Sequence, residues 1–168
     1  AAKRQLQLQA VWLTHGHLDH AGGVADLLKQ QAVPVWGPHA DDGYLLESLP
    51  QTTASYASYG FPIAEAFVPD GWLSEGGKLK VGAYEFDVLH IPGHTPGHVV
   101  FYCAAEKLLI AGDVLFYESI GRTDFPRGNH ADLISNITGK LLLLPEDTRV
   151  IPGHGRMTTI GHEKRHNP

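Results

Sequence analysis

The chain has 168 residues, 43% of them hydrophobic, which suffices for one core, so a single domain spanning 1–168 is expected. A formal net charge of −5 and scattered Lys and Arg remove the electrostatic case for nucleic acid or an anionic membrane as partner. The lone cysteine, Cys103, excludes an internal disulfide, and no apolar stretch approaches the roughly 18 to 20 residues of a membrane span, so the cytoplasm is the expected compartment.

Residues 8–13 (LQAVWL) read as a buried strand leading into THGHLDH, and Val24, Leu27 and Leu28 then recur at helical spacing. A short strand is expected at 33–36, a helix at 40–49, and an irregular loop rather than a broken helix over 50–69, where Gly60 and Pro62 fall. Strand patterns follow at 78–81 and 84–89, the second running into PGHTPGH. Strands at 99–103 and 108–111 flank a turn at Glu106-Lys107, and the later one ends at Gly112-Asp113. Asn129 is an expected N-cap for a helix with an apolar stripe of Leu133, Ile134, Ile137 and Leu141, ending near Pro145. A last strand at 149–151 enters PGHG. Four separate strands thus deliver His or Asp at their C-terminal ends, as a rigid scaffold does when it gathers distant residues at one rim.

Eleven histidines beside one cysteine and one methionine favour imidazole and carboxylate metal chemistry. Within them, His15-Gly16-His17-Leu18-Asp19-His20 is the strongest local signal: at this composition H-x-H-x-D-H arises by chance in about three of a thousand such chains. A turn after a strand, eased by Gly16, aims His15 and His17 to one side and Asp19 and His20 to the other. Two dications held roughly 3.5 to 4 Å apart need a shared anion, and Asp113 is the candidate bridge. The expected sets are His15, His17, His94 and Asp113 for one metal, and Asp19, His20, His154 and Asp113 for the other. Taken singly, a loop histidine is more often exposed or structural, and a Gly-Asp aspartate is often a turn residue. His90, His98 and His130 are read as supporting or structural, His39, His162 and His166 as surface residues, and Cys103 as an inert core residue.

THGHLDH, PGHTPGH, AGDVLF and IPGHG, in this order, resemble the metallo-β-lactamase superfamily. The segment 120–128 (IGRTDFPRG) and the stretch PGHGRMTTIG resemble its small glyoxalase II-like, or hydroxyacylglutathione hydrolase-like, branch; GRTDF is also similar to sulfur (persulfide) dioxygenases. The resemblance implies an α/β fold, an αβ/βα sandwich of two mixed sheets with the site at one edge. It implies two divalent cations, zinc first and iron or manganese as alternatives, and hydrolysis of an S-acyl thioester of the glutathione type by a hydroxide bridging the metals. Asp19 would orient that nucleophile, Asp113 bridge the metals, and Arg122 contact the substrate. A mononuclear-iron sulfur dioxygenase, a lactonase and a truncated metal-binding module without turnover are the alternative readings. Two departures stand out. The chain has no room for the C-terminal helical domain with which larger glyoxalase II enzymes grip glutathione, and only about a dozen residues precede THGHLDH. The implied sandwich therefore lacks N-terminal strands, and its open edge invites a second copy or an N-terminal segment from elsewhere.

Overall fold

The computed structural model describes residues 7–60 and 62–168. Strand β1 (Val11–Trp12) pairs in parallel with β2 (Val35–Trp36). Between them lie helices α1 (Leu18–Ala21) and α2 (Val24–Gln30). The strand expected at 8–13 shrinks to two residues because its short partner β2 leads straight into Gly37-Pro38; the flanking bonds run from Val11 N to Pro34 O and from Leu13 N to Trp36 O, both 2.9 Å.

The helix expected at 40–49 is divided. A 3₁₀ turn at Ala40–Asp42 leads into α3 (Gly43–Glu47), and α4 (Leu49–Ala54) follows after Ser48. Pro50 falls in the first turn of α4, where a missing N–H leaves nothing unpaired, so the first part of 50–69 is helical and not a loop. Residues 62–69 form no helix or strand.

The main sheet comes next, with β3 (Lys78–Val81), β4 (Tyr84–His90), β5 (Val99–Cys103) and β6 (Leu108–Gly112) as an antiparallel meander. A hairpin of β7 (Leu115–Phe116) and β8 (Ser119–Ile120) follows, then α5 (His130–Gly139), whose Asn129 cap accepts from Asp132 N at 3.2 Å as expected. Strand β9 (Arg149–Pro152) adds in parallel to β6, β10 (Thr158–Thr159) pairs antiparallel with β9, and α6 (Ile160–His166) closes the chain. The six-stranded order is β10-β9-β6-β5-β4-β3. The hairpin β7–β8, strand β10 and helix α6 were not foreseen in the sequence.

Side chains alternate across this sheet with period two, and both faces are apolar because both are covered. Val100, Leu109, Ala111 and Val150 pack against Leu133 and Ile137 of α5 and Ile160 of α6. On the opposite face Phe86, Val88, Val99, Phe101 and the fully buried Cys103 meet Trp12 and Trp36. The Trp12 and Phe86 rings meet edge to face with centroids 5.4 Å apart. Beyond β1–β2, Leu13 and Val35 pack on Ala21, Val24, Leu46 and Leu49. Helix, sheet, sheet, helix is the expected αβ/βα sandwich; among the described residues the second sheet consists of β1 and β2, with a bridge from Trp36 to Gly71. Each large side chain buried in these layers contributes about 1.5 to 3 kcal/mol.

The topology gathers the candidate residues. Strand β4 is antiparallel to β5, β5 to β6, and β6 is parallel to β9, so β4, β6 and β9 run one way and end at the same edge. The end of β1 is drawn to that edge by Val99 N donating to Thr14 O at 2.8 Å.

Candidate metal centre

His17 has extended backbone (φ −65°, ψ 152°), whereas Asp19 and His20 fall in the single turn of α1. Residues i and i+2 of an extended chain share a side, and a helical turn then swings the next side chains to another. The halves nonetheless stay in touch: the donor atoms of His15, His20 and Asp113 lie within 4.8 Å of one another. The donor atoms of His15, His17 and His94 lie within 4.8 Å of one another, and so do those of Asp19, His20 and His154. Gly16 serves this loop by close approach, not by a left-handed turn: an added Cβ would lie 2.8 Å from Leu45 Cβ.

Asp113 sits between the groups. Its Oδ2 lies 3.7 Å from His94 Nε2 and 3.4 Å from His154 Nε2, and its Oδ1 lies 3.4 Å from His20 Nε2. On the outer side, Asp19 Oδ2 is 2.9 Å from His154 Nε2 and 3.5 Å from His20 Nε2. Gly153 permits this approach, since a Cβ there would stand 2.1 Å from Asp113 Oδ1.

Neighbouring bonds fix which ring nitrogens face inward. His94 Nδ1 is 2.8 Å from the Arg122 carbonyl, which only accepts, so Nδ1 carries the proton and Nε2 presents a lone pair 3.0 Å from His17 Nδ1. Thr14 Oγ1 engages His15 Nδ1 at 3.1 Å and leaves His15 Nε2 free. His98, fully buried and stacked on His15 at 4.6 Å, accepts from Asp113 N at 3.0 Å and so holds the Asp113 backbone. His98 supports the site, in line with its expected role.

Electrostatics favour the neutral form of His15, His17 and His94. Burial first, then the neighbouring imidazoles, holds His15 well below its ordinary value. Burial and His94 bring His17 down to about 4, and burial also lowers His94. For Asp113, burial favours the neutral acid, but His20, His94 and His154 outweigh it and hold the carboxyl below its usual range. The Asp113 carboxylate in turn outweighs burial and raises His20. Neutral His15, His17 and His94 beside an ionised Asp113 are the protonation states that metal coordination requires.

The residues fit a metal. Buried polar atoms without a hydrogen-bond partner cost about 1 to 3 kcal/mol each, and His15 Nε2, His20 Nε2 and Asp113 Oδ1 are three of them, all turned into this cluster. A cation is the partner that satisfies lone pairs converging from several acceptors.

Sequence reasoning overlooked Asp42. It is fully buried and accepts from Gly16 N, Thr95 Oγ1 and Gly97 N. It falls within the helix expected at 40–49, where nothing in the local pattern sets it apart. His39, expected at the surface, is half-buried and stacked on His90 at 4.2 Å and 15°, with Asp41 Oδ2 3.3 Å from its Nδ1. The donor atoms of His39, Asp41 and His90 also lie within 4.8 Å of one another, but His39 Nδ1 already accepts from Asp41 N at 3.2 Å and His90 Nε2 donates to Pro96 O at 2.9 Å. His162 is likewise half-buried, stacked on Tyr117 at 4.7 Å, whereas His166 is exposed as expected.

The cluster opens into a cavity of about 660 Å³. Leu18, Thr52, Tyr56, Phe116 and Phe125 wall it above the proposed ligands. Arg122 is at its rim, 65% exposed, with Nε and Nη2 each 2.8 Å from the Asp124 carboxylate and its guanidinium 4.5 Å above the Phe125 ring.

The sequence model of the metallo-beta-lactamase superfamily matches residues 1–154. The chain belongs to the metallo-beta-lactamase superfamily. Within it, the chain is 48% identical over 164 residues to hydroxyacylglutathione hydrolase GloC of Haemophilus influenzae, covering 97% of this chain and 76% of that protein. Among solved structures it is similar to the BLEG-1 B3 metallo-beta-lactamase, with a TM-score of 0.87 and 42% identity over 99% of this chain and 79% of the other. It is equally similar to TTHA1623 in a di-iron-bound form, with a TM-score of 0.87 and 39% identity over 99% and 80% of the two chains. The superfamily fold therefore carries this His/Asp cluster, which is able to bind metal ions. Among the described residues no helix is long and apolar enough to cross a membrane.

Proposed function

We propose that this superfamily member is a thioester hydrolase of the glyoxalase II type, acting on S-acylglutathione-type substrates with two divalent cations. One observation carries the two-cation reading: a single carboxylate, Asp113, reaches His94 on one side and His20 and His154 on the other. His15, His17 and His94 would hold one cation and Asp19, His20 and His154 the other. Zinc is the first choice, and iron and manganese suit the same donors. When bound, such ions polarise a carbonyl and bring the pKa of water near neutrality. The 48% identity to a hydroxyacylglutathione hydrolase supports the substrate class.

The chain's own residues divide the remaining work. Asp19 Oδ2, at the cavity floor beside His154 Nε2, accepts a hydrogen bond from the attacking water and orients it. Leu18, Tyr56, Phe116 and Phe125 exclude bulk water around the thioester. The Arg122 pair with Asp124 leaves Nη1 for a substrate carboxylate, and the Phe125 face steadies the guanidinium. Water adds to the carbonyl carbon as its proton passes by way of Asp19 to solvent, the C–S bond breaks, the thiolate departs without a strong general acid, and the acid product ionises to solvent.

S-lactoylglutathione supplied to the zinc-loaded and the iron-loaded protein tests this reading, with free thiol, dissolved oxygen and bound metal all measured. Stoichiometric thiol release, no oxygen uptake and two metal equivalents are expected. Oxygen consumption with one iron would replace the hydrolase by a sulfur dioxygenase. Turnover of lactones alone would make it a lactonase, and metal binding without any turnover would leave a binding module.

A further inference from the structure

We infer that Asp42 is a positioning residue that sets the affinity of the three-histidine half of the centre, His15, His17 and His94, without touching a metal itself. The inference rests on the proposed two-cation centre. Asp42 is 0% exposed. Its Oδ2 accepts from Gly16 N at 2.9 Å and Thr95 Oγ1 at 2.8 Å, and its Oδ1 accepts from Gly97 N at 2.6 Å. Gly16 separates His15 from His17, and Thr95 directly follows His94. One carboxylate therefore clips together the two loops that supply all three histidines, and the 3.0 Å approach of His17 Nδ1 to His94 Nε2 is made across that clip. The other half shares the Gly16 loop through Asp19 and His20, but Asp42 holds that loop at Gly16, between His15 and His17, and its third ligand, His154, comes from the end of β9, which has no hydrogen bond to Asp42.

The chemistry of the clip requires a carboxylate. All three partners are donors, and two of them are peptide N–H groups that cannot reverse roles. An asparagine has one acceptor oxygen, so its NH₂ would face at least one peptide N–H wherever it turned. The hydroxyl of Thr95 can rotate to accept, but Gly16 and Gly97 cannot. Hydrogen bonds to an ionised acceptor are also the stronger kind; burial pushes the Asp42 carboxyl up, and the three bonds counter it only in part. Loosening the clip lets the two loops part, and groups that orient ligands in this way typically govern metal affinity by about 10- to 100-fold.

Titration of the full chain with Zn²⁺ against a chromophoric chelator tests the inference, with the melting temperature of each metal-free protein read in parallel. The variants are Asp42→Asn and Thr95→Val, the second keeping the carboxylate and both peptide bonds. Asp42→Asn is expected to weaken one zinc equivalent by about 10- to 100-fold and to leave the other within about threefold. Thr95→Val is expected to weaken the same equivalent by less. Wild-type affinity for both equivalents in Asp42→Asn overturns the inference. So does an equal loss at both that tracks the melting temperature, since that is general destabilisation. Should Asp42→Asn fail to fold, an unchanged affinity in Thr95→Val overturns it. A wild-type chain that binds fewer than two zinc ions defeats the two-cation reading before any variant is made, and takes this inference with it.

Discussion

Asp113 joins the two proposed halves: among the described residues no other side chain approaches histidines of both sets through its two oxygens. Replacing it by alanine would remove the anion that offsets the two proposed dications. Asp113→Ala is expected to lose at least one metal equivalent and to lower turnover by about a thousandfold or more, whereas His166→Ala, on the exposed side of α6, should stay within about twofold of wild type. Metal analysis and a thioester assay on both variants check this, and equal activities would refute the assignment. The proposed ligands were legible because H-x-H-x-D-H is local and its donors are few in kind. Asp42 was not, because its partners lie 26, 53 and 55 residues away, and no spacing rule joins residues that meet only after folding.

Elements were legible where their apolar period was long. The meander from β3 to β6 follows the sequence pattern closely, and α5 starts at its expected cap but ends at Gly139, short of Pro145, with Leu141 in a following 3₁₀ turn and Ile134 exposed. Helix α6 and the β7–β8 hairpin did not announce themselves, because a polar buried group holds them together instead of a stripe. Glu163 of α6, 1% exposed, accepts from Glu118 N at 2.9 Å in the hairpin turn, from Asn167 Nδ2 at 2.7 Å and from Thr158 Oγ1 of β10. Glu163→Ala strands these donors, two of them on neighbouring elements, and is expected to destabilise the fold by about 2 to 4 kcal/mol. Urea unfolding measures it, and a loss under about 1 kcal/mol would show that water replaces the carboxylate at no cost. The hairpin also carries Phe116 to the cavity, so the variant should raise KM for an apolar acyl group.

For the whole molecule, the neutral histidine cluster makes stability depend on pH in a fixed direction. His15, His17 and His94 have folded pKa values below 6.5, so between their folded and unfolded values the unfolded chain binds more protons. Their contribution is intact above about pH 6.5 and is lost as pH falls towards the folded values, about 4 for His17. His20 runs the other way: its raised pKa stabilises at lower pH and that share fades above its folded value. The metal-free protein should therefore melt at progressively lower temperature between about pH 6.5 and pH 4. Zinc in excess should raise the melting temperature near neutrality, by mass action on the folded state. A metal-free melting temperature that stays flat over that range would contradict neutral imidazoles in the cluster.

By itself the sequence determined the donors, the strands that end in them, and the family. These are properties of residue type and short-range period, which the chain carries before it folds. Tertiary structure decided that β9 lies beside β6, that Asp113 faces both histidine sets, that Asp42 ties two loops, and that Arg122 is held by Asp124. Each of these depends on distances between segments remote in the chain or on competing partners for one side chain, and those are set by how the layers pack.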